Sequence, residues 1–442
     1  MTKVLVAGLG ISGYEAALLA ISRKIDVTIV DTFESKTLKV RSNELSHLGA
    51  TVHLGVSDLK NIELKEIDTV IISPGIHPGG AFGQQLNSLA LPIISELEFA
   101  SRFCEIPLIG VTGTNGKTTT VELLTHCLSK MGSKAIAAGN TGYALSRVVR
   151  EDEKWDYIVV EVSSFQLEFI REIRFISGAL LNISSDHIDR YSSFDEYASV
   201  KCRLIQRSKN KTAGASVSKY LNHLNNIDFV DCKTESIAKY RLKNNCFFTP
   251  QGEYPYLNHP LKGLHNAENI LACFSLLSAL GFGCGEIYKA SLSFKAPEHR
   301  LQFFLKHDGI IFINDSKATN PDALKMALES CGIKKQKNIL LIAGGRDKKM
   351  DFKVVNSALC SYVRKLFLYG ECRQTLRDTW SSLLPCRVEK DFTEVVTEAL
   401  KEIKAGDILL LSPGCSSLDS FSGYGERGKV FMQIVQEWTK NE

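Results

Sequence analysis

Short apolar runs alternate with amphipathic stretches along almost the whole chain. The first runs predict strands at Val4–Ala7, Val27–Val30 and Val70–Ile72, and the stretch Tyr14–Arg23 predicts a helix between the first two. Strands that alternate with helices are typical of parallel sheets joined by crossover helices. The N-terminal part of the chain is therefore predicted to form an α/β domain.

A second set of alternating segments begins near Phe103. Its first helix is predicted at Thr118–Met131, because Gly132 follows as a typical C-terminal cap. The predicted strands of this set are Leu108–Val111, Ala135–Ala138, Tyr157–Val162 and Gly178–Asn182. The stretch Asn210–Leu261 is polar and lacks a clear period, so it is predicted to be irregular.

A third set follows the segment Glu298–Arg300. Its first helix is expected to start at Pro321 with Asn320 as the N-cap, because both residue types favour those positions. Its predicted strands are Ile310–Ile313, Ile339–Ile342, Leu366–Tyr369 and Ile408–Leu411. The three sets predict three α/β domains, at residues 1–102, 103–298 and 299–442.

Composition narrows the class of protein. Hydrophobic residues make up 44% of the chain and charged residues 23%, as in a folded globular protein. The net charge of +4 is small for 442 residues, so no nucleic-acid partner is expected. The 12 cysteines are scattered without a CxxC pair, which favours reduced thiols in the cytoplasm. No apolar run reaches the roughly 18–20 residues of a membrane span, and the N-terminus lacks a signal-peptide pattern.

A glycine-rich turn follows the first predicted strand. Gly8, Gly10 and Gly13 precede a predicted helix, and Asp31 ends the next strand. This layout lets backbone amides approach a phosphate at a helix N-terminus. The residues alone leave three interpretations open: a nicotinamide or flavin site, a site for another nucleotide or a sugar-nucleotide diphosphate, or a turn that needs glycine only for packing.

A phosphate loop lies at residues 110–119, with the sequence GVTGTNGKTT. Amides at a helix N-terminus surround phosphate oxygens, a lysine such as Lys117 neutralises β/γ charge, and a hydroxyl such as Thr118 binds Mg²⁺. The usual first glycine is replaced by Val111. This part of the chain therefore predicts ATP binding by an unusual form of the loop.

Further candidate residues follow the phosphate loop. Glu161 ends a predicted strand beside the loop and is well placed to bind Mg²⁺. His187 follows a strand and is either a ligand or a structural hydrogen-bonding group. Lys201 lies in a predicted helix, where the residues alone favour a solvated lysine.

Taken in order, these segments resemble the Mur ligases, the ATP-dependent amino-acid-adding enzymes of peptidoglycan synthesis. The matching segments are Ser73–Gly75, Gly113–Thr119, Gly139–Gly142, Glu161–Gln166, Asp186-His187, Lys201, His265-Asn266 with Asn269, Glu298–Arg300, Asn314–Asn320, Gly344-Gly345 and Ser412–Gly414. The resemblance implies a Rossmann-like N-terminal domain, a central P-loop ATPase-like domain with a mostly parallel sheet, and a Rossmann-like C-terminal domain.

Within the family, Ser163–Leu167 and Ser417–Phe421 are similar to the D-glutamate-adding member. The resemblance then implies a cytoplasmic, monomeric ligase that joins D-glutamate to UDP-N-acetylmuramoyl-L-alanine through an acyl phosphate, with ATP and Mg²⁺. Alternatives are an adder of another amino acid, a folylpolyglutamate synthase-like enzyme, an NAD-dependent oxidoreductase and a non-catalytic nucleotide-binding regulator.

The resemblance also implies the residues of each site. The UDP-substrate would bind Ile11, Ser12, Asp31, Gly75, Asn140 and Gln166. ATP would bind Gly113, Thr114, Asn115, Gly116, Lys117, Thr118, Thr119, Asn269, Arg300 and Asp315. D-Glutamate would bind Thr319, Lys348, Ser417 and Tyr424. The metal would bind Thr118, Glu161, His187 and Lys201.

Lys201 and Tyr424 differ from the other implied site residues, Lys201 by its expected modification and Tyr424 by its side chain. Lys201 matches the family lysine that CO₂ converts to a carbamate. The resemblance also implies that Lys201 is catalytic, together with Lys117 and His187. Tyr424 departs from the family, in which an aromatic side chain without a hydroxyl is commoner. The additional hydroxyl is expected to tune the affinity for D-glutamate.

Overall fold

The computed structural model describes residues 2–184, 186, 190–233, 238–257, 259–332, 336–346 and 350–441. They belong to two compact units. The first unit contains Met1–Ile183, Asp195–Leu257 and Glu268–Phe294, and the second contains Ser184–Phe194, Asn258–Ala267 and Lys295–Glu442.

The first sheet lies at the start of the chain and is fully parallel, in the strand order β3-β2-β1-β4-β5. Its strands are β1 Lys3–Ala7, β2 Asp26–Val30, β3 Thr51–His53, β4 Thr69–Ile72 and β5 Ile93–Ser95. Its helices are α1 Ile11–Ser22, α2 Lys36–His47, α3 Ala81–Ser88 and α4 Glu96–Ser101, with a short 3₁₀ helix at Leu59–Asn61. The strand predictions are confirmed, but α1 begins three residues earlier than predicted because extended Gly10 is its N-cap.

The second sheet also belongs to the first unit, and its order is β14-β13-β12-β11-β10-β9-β6-β8-β7. Its strands are β6 Leu108–Thr112, β7 Ala135–Gly139, β8 Tyr157–Glu161, β9 Phe175–Leu180, β10 Ser208–Gly214, β11 Ile227–Asp231, β12 Tyr240–Lys243, β13 Cys246–Thr249 and β14 Gly252–Pro255. Its helices are α5 Lys117–Lys130, α6 Leu145–Glu151, α7 Ser164–Leu167, α8 Phe194–Gln206, α9 Leu264–Ser278 and α10 Cys284–Ser291, with a 3₁₀ helix at Ala215–Tyr220. Only the β12-β13-β14 edge is antiparallel.

The prediction that Asn210–Leu261 is irregular is wrong, because this stretch contains most of β10 and all of β11–β14. These edge strands are short and partly exposed, so they lack the long apolar runs that mark a buried strand. The hairpin between β12 and β13 turns at Asn244 and Asn245, whose φ angles are +50° and +56°. A two-residue turn with both φ angles positive is the favoured hairpin connection, and asparagine tolerates it.

The third sheet lies in the second unit, in the order β15-β16-β20-β17-β18-β19, and only β15 is antiparallel to its neighbour. Its strands are β15 Gln302–His307, β16 Ile310–Asn314, β17 Ile339–Gly344, β18 Val363–Tyr369, β19 Cys386–Val388 and β20 Ile408–Gly414. Its helices are α11 Pro321–Cys331, α12 Asn356–Tyr362, α13 Arg373–Trp380, α14 Phe392–Glu402 and α15 Tyr424–Asn441, with a 3₁₀ helix at Phe352–Val355. The predicted cap is confirmed: the Asn320 side chain accepts a hydrogen bond from the Ala323 amide at 2.8 Å.

The α/β class with mostly parallel sheets is confirmed. Each of the three predicted domains contains one sheet, while the cuts at 103 and 298 stay a prediction. None of the described helices combines the length and the apolar character needed to cross a membrane.

Candidate active site

The N-terminal glycine turn lies at the carboxyl end of β1. A β-carbon at Gly13 would collide with the Gly8 carbonyl oxygen, so the close helix–strand approach requires glycine here. The buried Asp31 carboxylate accepts from the Leu9 amide at 2.6 Å and from the Phe33 amide at 2.8 Å. Both carboxylate oxygens of Asp31 therefore brace the turn.

The other predicted residues of this edge lie beside the turn. Ile11 is 67% exposed, and Ser12 is half-buried at the start of α1. Gly75 is exposed after β4. The Ser73 hydroxyl donates to the Gly8 carbonyl at 2.9 Å, which ties the two loops together. The structure thus brings Ile11, Ser12 and Gly75 to one edge of the first sheet.

The phosphate loop connects β6 to α5, and Asn182 from the end of β9 holds it. The Thr114 amide donates to the Asn182 carbonyl at 2.9 Å, and the Asn115 amide donates to the Asn182 Oδ1 at 2.8 Å. The Asn182 Nδ2 donates to the Asn115 carbonyl at 3.1 Å. Asn182 lies beyond β9 and not in the strand where the sequence placed it, because it pairs with the loop.

Gly116 ends the loop with a φ of +86°, which favours glycine. A β-carbon at this position would lie 2.5 Å from the Oδ1 of Asn269. The buried Asn269 side chain therefore packs directly against the loop. The predicted ATP residues Gly113–Thr119 and Asn269 are brought together.

Two lysine side chains meet at one carbonyl oxygen of the loop. The Lys117 Nζ donates to the Gly113 carbonyl and to the Thr114 carbonyl, both at 2.8 Å. The Lys201 Nζ donates to the same Gly113 carbonyl at 3.0 Å. Lys201 is only 2% exposed, so the interpretation of a solvated helix lysine is wrong.

Helix α8 presents both Lys201 and Tyr197 to the loop, because residues four apart lie on one helix face. The Tyr197 hydroxyl lies 3.1 Å from the Thr114 hydroxyl. The Lys201 Nζ lies 4.8 Å from the centre of the Tyr197 ring, within the range of a cation–π contact. Tyr197 thus contacts both the loop and the buried lysine.

Glu161 ends β8, next to β6, and is 2% exposed. Its Oε1 accepts from the Asn140 Nδ2 at 2.8 Å. Its Oε2 is buried and has no hydrogen-bond partner in the described part of the chain. Burial raises the pKa of this carboxyl, but the Lys117 ammonium and the Asn140 hydrogen bond outweigh it and lower the pKa overall. The group is therefore a carboxylate near neutral pH.

These donors fit Mg²⁺, which prefers hard oxygen ligands. Glu161 offers a buried and unpartnered carboxylate oxygen. The Thr118 hydroxyl lies 3.5 Å from the hydroxyl of Thr141, which follows Asn140 in the loop after β7. His187 falls outside the described residues, so its predicted metal role stays a prediction.

Gln166 lies in the short helix α7 and is buried. Its Oε1 accepts from the amide and the hydroxyl of Ser163, each at 3.0 Å, which closes a capping box. Asn140, predicted with Gln166 to bind the sugar nucleotide, donates to Glu161, and its contact with the substrate stays a prediction. The Gln166 side-chain nitrogen takes no part in the capping box, so it is the polar group that α7 presents at this position.

In the second unit, Asp315 lies at the end of β16 and is buried. It accepts from the Ser412 hydroxyl at 2.8 Å and from the Leu301 amide at 3.1 Å. Burial raises its pKa to about 7, although these hydrogen bonds and the Arg300 and Arg427 charges oppose the shift. The predicted nucleotide residues Arg300 and Asp315 are thus electrostatically coupled.

The predicted amino-acid residues Thr319, Ser417 and Tyr424 lie on loops at the carboxyl ends of β16 and β20 and at the start of α15. The Gly414 amide donates to the Ala318 carbonyl at 2.9 Å, which joins the first two loops. The Ser316 hydroxyl donates to the Tyr424 carbonyl at 2.8 Å. Lys348 falls outside the described residues and stays a prediction.

Two cations reinforce these loops. The Lys317 Nζ lies 3.9 Å from the centre of the Tyr424 ring. The fully buried Arg427 donates to the Ser316 carbonyl at 2.7 Å, the Cys415 carbonyl at 3.2 Å and the Tyr369 hydroxyl at 3.1 Å. Arg427 therefore fixes the loops after β16 and β20 to each other.

Sequence reasoning missed Asn182, Tyr197 and Arg427 as supports of the two sites. None of them belongs to a local motif with its own chemistry, since each acts on a loop far away in the chain. The spacing of Tyr197 four residues before Lys201 is the one local signal that predicts a shared helix face.

The fold and the site define an enzyme that binds a nucleoside triphosphate at a phosphate loop, with a carboxylate on the adjacent strand. Comparison with known proteins gives the family. The Mur ligase middle domain matches residues 111–277, and the Mur ligase glutamate ligase domain matches residues 299–415. The chain belongs to the Mur ligase family, which confirms the resemblance found in the sequence.

Two relatives cover nearly the full chain. The UDP-N-acetylmuramoylalanine–D-glutamate ligase of Thermoanaerobacter pseudethanolicus is 34% identical and is aligned over 98% of each chain. The enzyme of the same name from Syntrophus aciditrophicus is 32% identical over 98% of this chain and 97% of its own. The family match and these full-length relatives show an ATP-dependent ligase that forms amide bonds.

Solved structures agree on the fold. UDP-N-acetylmuramate-alanine ligase of Thermotoga maritima superposes with a TM-score of 0.62 over 99% of this chain and all of its own, at 18% identity. MurF ligase of the same organism, solved with ADP, gives 0.62 over 95% and 97% of the two chains, at 16% identity. At these identities the likeness shows the fold alone.

Proposed function

We propose that the protein adds D-glutamate to UDP-N-acetylmuramoyl-L-alanine, with ATP converted to ADP and phosphate, in peptidoglycan precursor synthesis in the cytoplasm. The full-length relatives that carry this name support the choice of substrates. The observation that carries the ATP chemistry is the convergence of Lys117, Lys201 and Glu161 on the phosphate loop. We further propose that the chain acts as a monomer without nucleic-acid or membrane partners.

The first step activates the carboxylate of the sugar nucleotide. A carboxylate oxygen attacks the γ-phosphorus of ATP, the bond to the β,γ-bridging oxygen breaks, and an acyl phosphate and ADP form. Loop amides and the Lys117 ammonium neutralise the charge on the transferred group, so this chemistry is mainly positioning and electrostatics. Mg²⁺ held by Glu161 and Thr118 would add positive charge at the phosphate oxygens.

The second step forms the amide bond. The D-glutamate amine attacks the acyl carbon, a tetrahedral intermediate forms, and phosphate leaves as the amine loses a proton. We assign D-glutamate to Thr319, Ser417 and Tyr424, with Lys348 as the expected cation. A dicarboxylate needs positive charge nearby, and the Lys317 ammonium over the Tyr424 ring supplies it in the described part of the site.

Lys201 is proposed to be carbamylated. Its neutral amine would attack CO₂, form an N–C bond and release a proton, which leaves a carboxylate-like group. Two ammonium groups on one carbonyl oxygen repel each other, and the carbamate would replace one of them by an anion. The carbamate would offer Mg²⁺ a hard oxygen ligand in addition to Glu161.

The sugar nucleotide is assigned to the edge of the first sheet, with its diphosphate at the glycine turn near Ile11 and Ser12. Gly75 follows the neighbouring strand at the same edge. The Gln166 side-chain nitrogen is available to donate toward the substrate, since its oxygen closes the capping box. Asp31 is proposed to bind the substrate at this edge as well, while its hydrogen bonds from the Leu9 and Phe33 amides brace the turn.

The test is phosphate release with purified protein, ATP, Mg²⁺ and UDP-N-acetylmuramoyl-L-alanine. D-Glutamate, L-alanine, L-lysine and diaminopimelate are supplied in turn as the amine. Release is expected with D-glutamate only, and one ADP should form per amide bond. Release with another amine would reassign the substrate, and consumption of NADH instead of ATP would overturn the proposal.

A further inference from the structure

Residues 167–173, which we call the bridging segment, are held on one side by Glu98 from helix α4. Glu98 is fully buried. Its Oε2 accepts from the amides of Arg171 at 2.8 Å, Glu172 at 3.0 Å and Ile173 at 3.0 Å. Three consecutive amides directed at one carboxylate form an anion-binding concavity of the backbone. The Arg102 guanidinium lies 3.7 Å from the other oxygen.

The same segment is held on another side by Arg203 from helix α8. The Arg203 Nη1 donates to the Leu167 carbonyl at 3.2 Å and to the Glu168 carbonyl at 2.7 Å. Arg203 lies two residues after Lys201, whose Nζ touches the phosphate loop. The bridging segment is therefore fixed both to the first sheet, through α4, and to the helix that supports the ATP site.

Helix α7, which carries Gln166, runs directly into the bridging segment. A helix of four residues has almost no stability of its own, so its position depends on what flanks it. The Ser95 amide, at the end of β5, also donates to the Phe169 carbonyl at 3.0 Å. Contacts of the bridging segment therefore help to set where α7 lies, while the capping box with Ser163 orients the Gln166 side chain on it.

Burying a carboxylate such as Glu98 between two elements costs free energy, because the charge loses its hydration. A well-packed apolar residue usually stabilises such a position as well or better, whereas a charge held by directed hydrogen bonds fixes one geometry. The paired use of Glu98 on amides and Arg203 on carbonyls restrains the segment in both directions along its backbone. Such restraints fix the distance between α4 and α8, the two helices that hold the bridging segment.

We propose that Glu98 and Arg203 are positioning residues for the sugar-nucleotide substrate. They fix the bridging segment so that Gln166 and the substrate-binding edge of the first sheet keep a set distance from the phosphate loop. The substrate carboxylate then reaches the γ-phosphate of ATP. This inference rests on the proposed function.

The experiment compares Glu98→Gln and Arg203→Met with a matched control, Asp407→Asn. The Asp407 carboxylate is also buried and accepts from the Arg364 Nη2 at 2.6 Å and the Lys404 amide at 3.0 Å, but it lies at the amino end of β20, away from the bridging segment and from the proposed substrate residues. The KM values for UDP-N-acetylmuramoyl-L-alanine, ATP and D-glutamate, kcat and Tm are measured for each variant. Arg203→Met leaves the buried carboxylate intact, so it decides the question alone if Glu98→Gln does not fold.

The KM for the sugar nucleotide is expected to rise about tenfold or more in both variants, because small misplacements of a positioning group are costly. The KM values for ATP and D-glutamate should stay within about twofold of wild type, and Asp407→Asn should leave all three unchanged. An unchanged KM for the sugar nucleotide, or a uniform loss of activity that follows Tm, would overturn the inference. If the wild-type protein releases no phosphate with this substrate, the proposed function itself fails instead.

Discussion

At the scale of single residues, the charged side chains around the Gly113 carbonyl determine the ATP chemistry. The half-buried Lys117 and the buried Lys201 meet there, and Glu161 lies on the adjacent strand as their anionic counterpart. The lowered pKa of Glu161 depends on the Lys117 ammonium, so the charges of this site are interdependent. Removing one of them changes the electrostatics of the others.

Lys117→Ala is expected to reduce kcat for phosphate release by roughly 100- to 1,000-fold or more, because a charge that stabilises the transferred phosphoryl group is lost. Lys130→Ala is the matched control, since Lys130 is exposed in the last turn of the same helix. Wild-type turnover in Lys117→Ala would remove the phosphate loop from the mechanism.

Lys201→Ala is expected to be inactive, and added acetate or formate should restore part of the activity by replacing the carbamate. The rescue is measured as phosphate release against carboxylate concentration. The same additives should not restore Lys117→Ala, whose missing group is a cation. Full activity of Lys201→Ala without any additive would refute the carbamate.

At the scale of elements, helix α4 carries a buried acid, Glu96, whose pKa is raised. The Glu96 Oε1 accepts from the Ser146 amide at 2.6 Å, next to the start of α6. Burial raises its pKa from 4.5 to about 7, although the Ser146 hydrogen bond opposes the shift. The folded protein therefore favours the neutral acid, and the stability that Glu96 contributes is lost as the pH rises from about 4.5 through 7.

Glu96→Gln should remove this loss, because glutamine stays neutral at every pH. We expect the stability of the variant relative to wild type to be more favourable at pH 8 than at pH 5, as measured by urea unfolding. Glu63→Gln, at an exposed position, serves as the control. An equal difference in stability at both pH values would contradict the assignment of Glu96 as a buried neutral acid.

Elements with a strong local pattern could be predicted, and the short strands β12–β14 at one edge of the second sheet could not. Buried strands such as β1, β6 and β17 show as uninterrupted apolar runs, and Asn320-Pro321 mark the start of α11. Strands β12–β14 pair in an edge hairpin whose side chains are partly exposed, so burial leaves little apolar signal in the sequence. The Asn244-Asn245 turn is the local feature that does mark this hairpin.

At the scale of the whole molecule, the sequence predicts three α/β segments and the phosphate loop but not the residues that join them. Glu161 and Thr118 follow from their places next to a strand end and a helix start. Asn182 and Arg427 do not, because they act across distances of 67 and 111 residues along the chain. Family resemblance supplies the roles of residues such as Ser417 and Tyr424, whose local sequence carries no chemistry of its own.

Ligand binding should raise the thermal stability of the whole molecule. ATP with Mg²⁺ at about 100 times Kd is expected to stabilise the protein by about 2.7 kcal/mol and to raise Tm, whereas NADH should not. Chelation of Mg²⁺ should reduce the shift, and Lys117→Ala should lose most of it. A rise in Tm with NADH would favour the oxidoreductase interpretation of the glycine turn.

The transfer of oxygen from substrate to phosphate tests the central claim most directly. UDP-N-acetylmuramoyl-L-alanine labelled with ¹⁸O in both carboxylate oxygens is converted with ATP and D-glutamate, and the released phosphate is analysed by mass spectrometry. Carboxylate attack on the γ-phosphorus predicts one ¹⁸O atom in each phosphate. Phosphate without the label would contradict an acyl phosphate and, with it, this account of the phosphate loop.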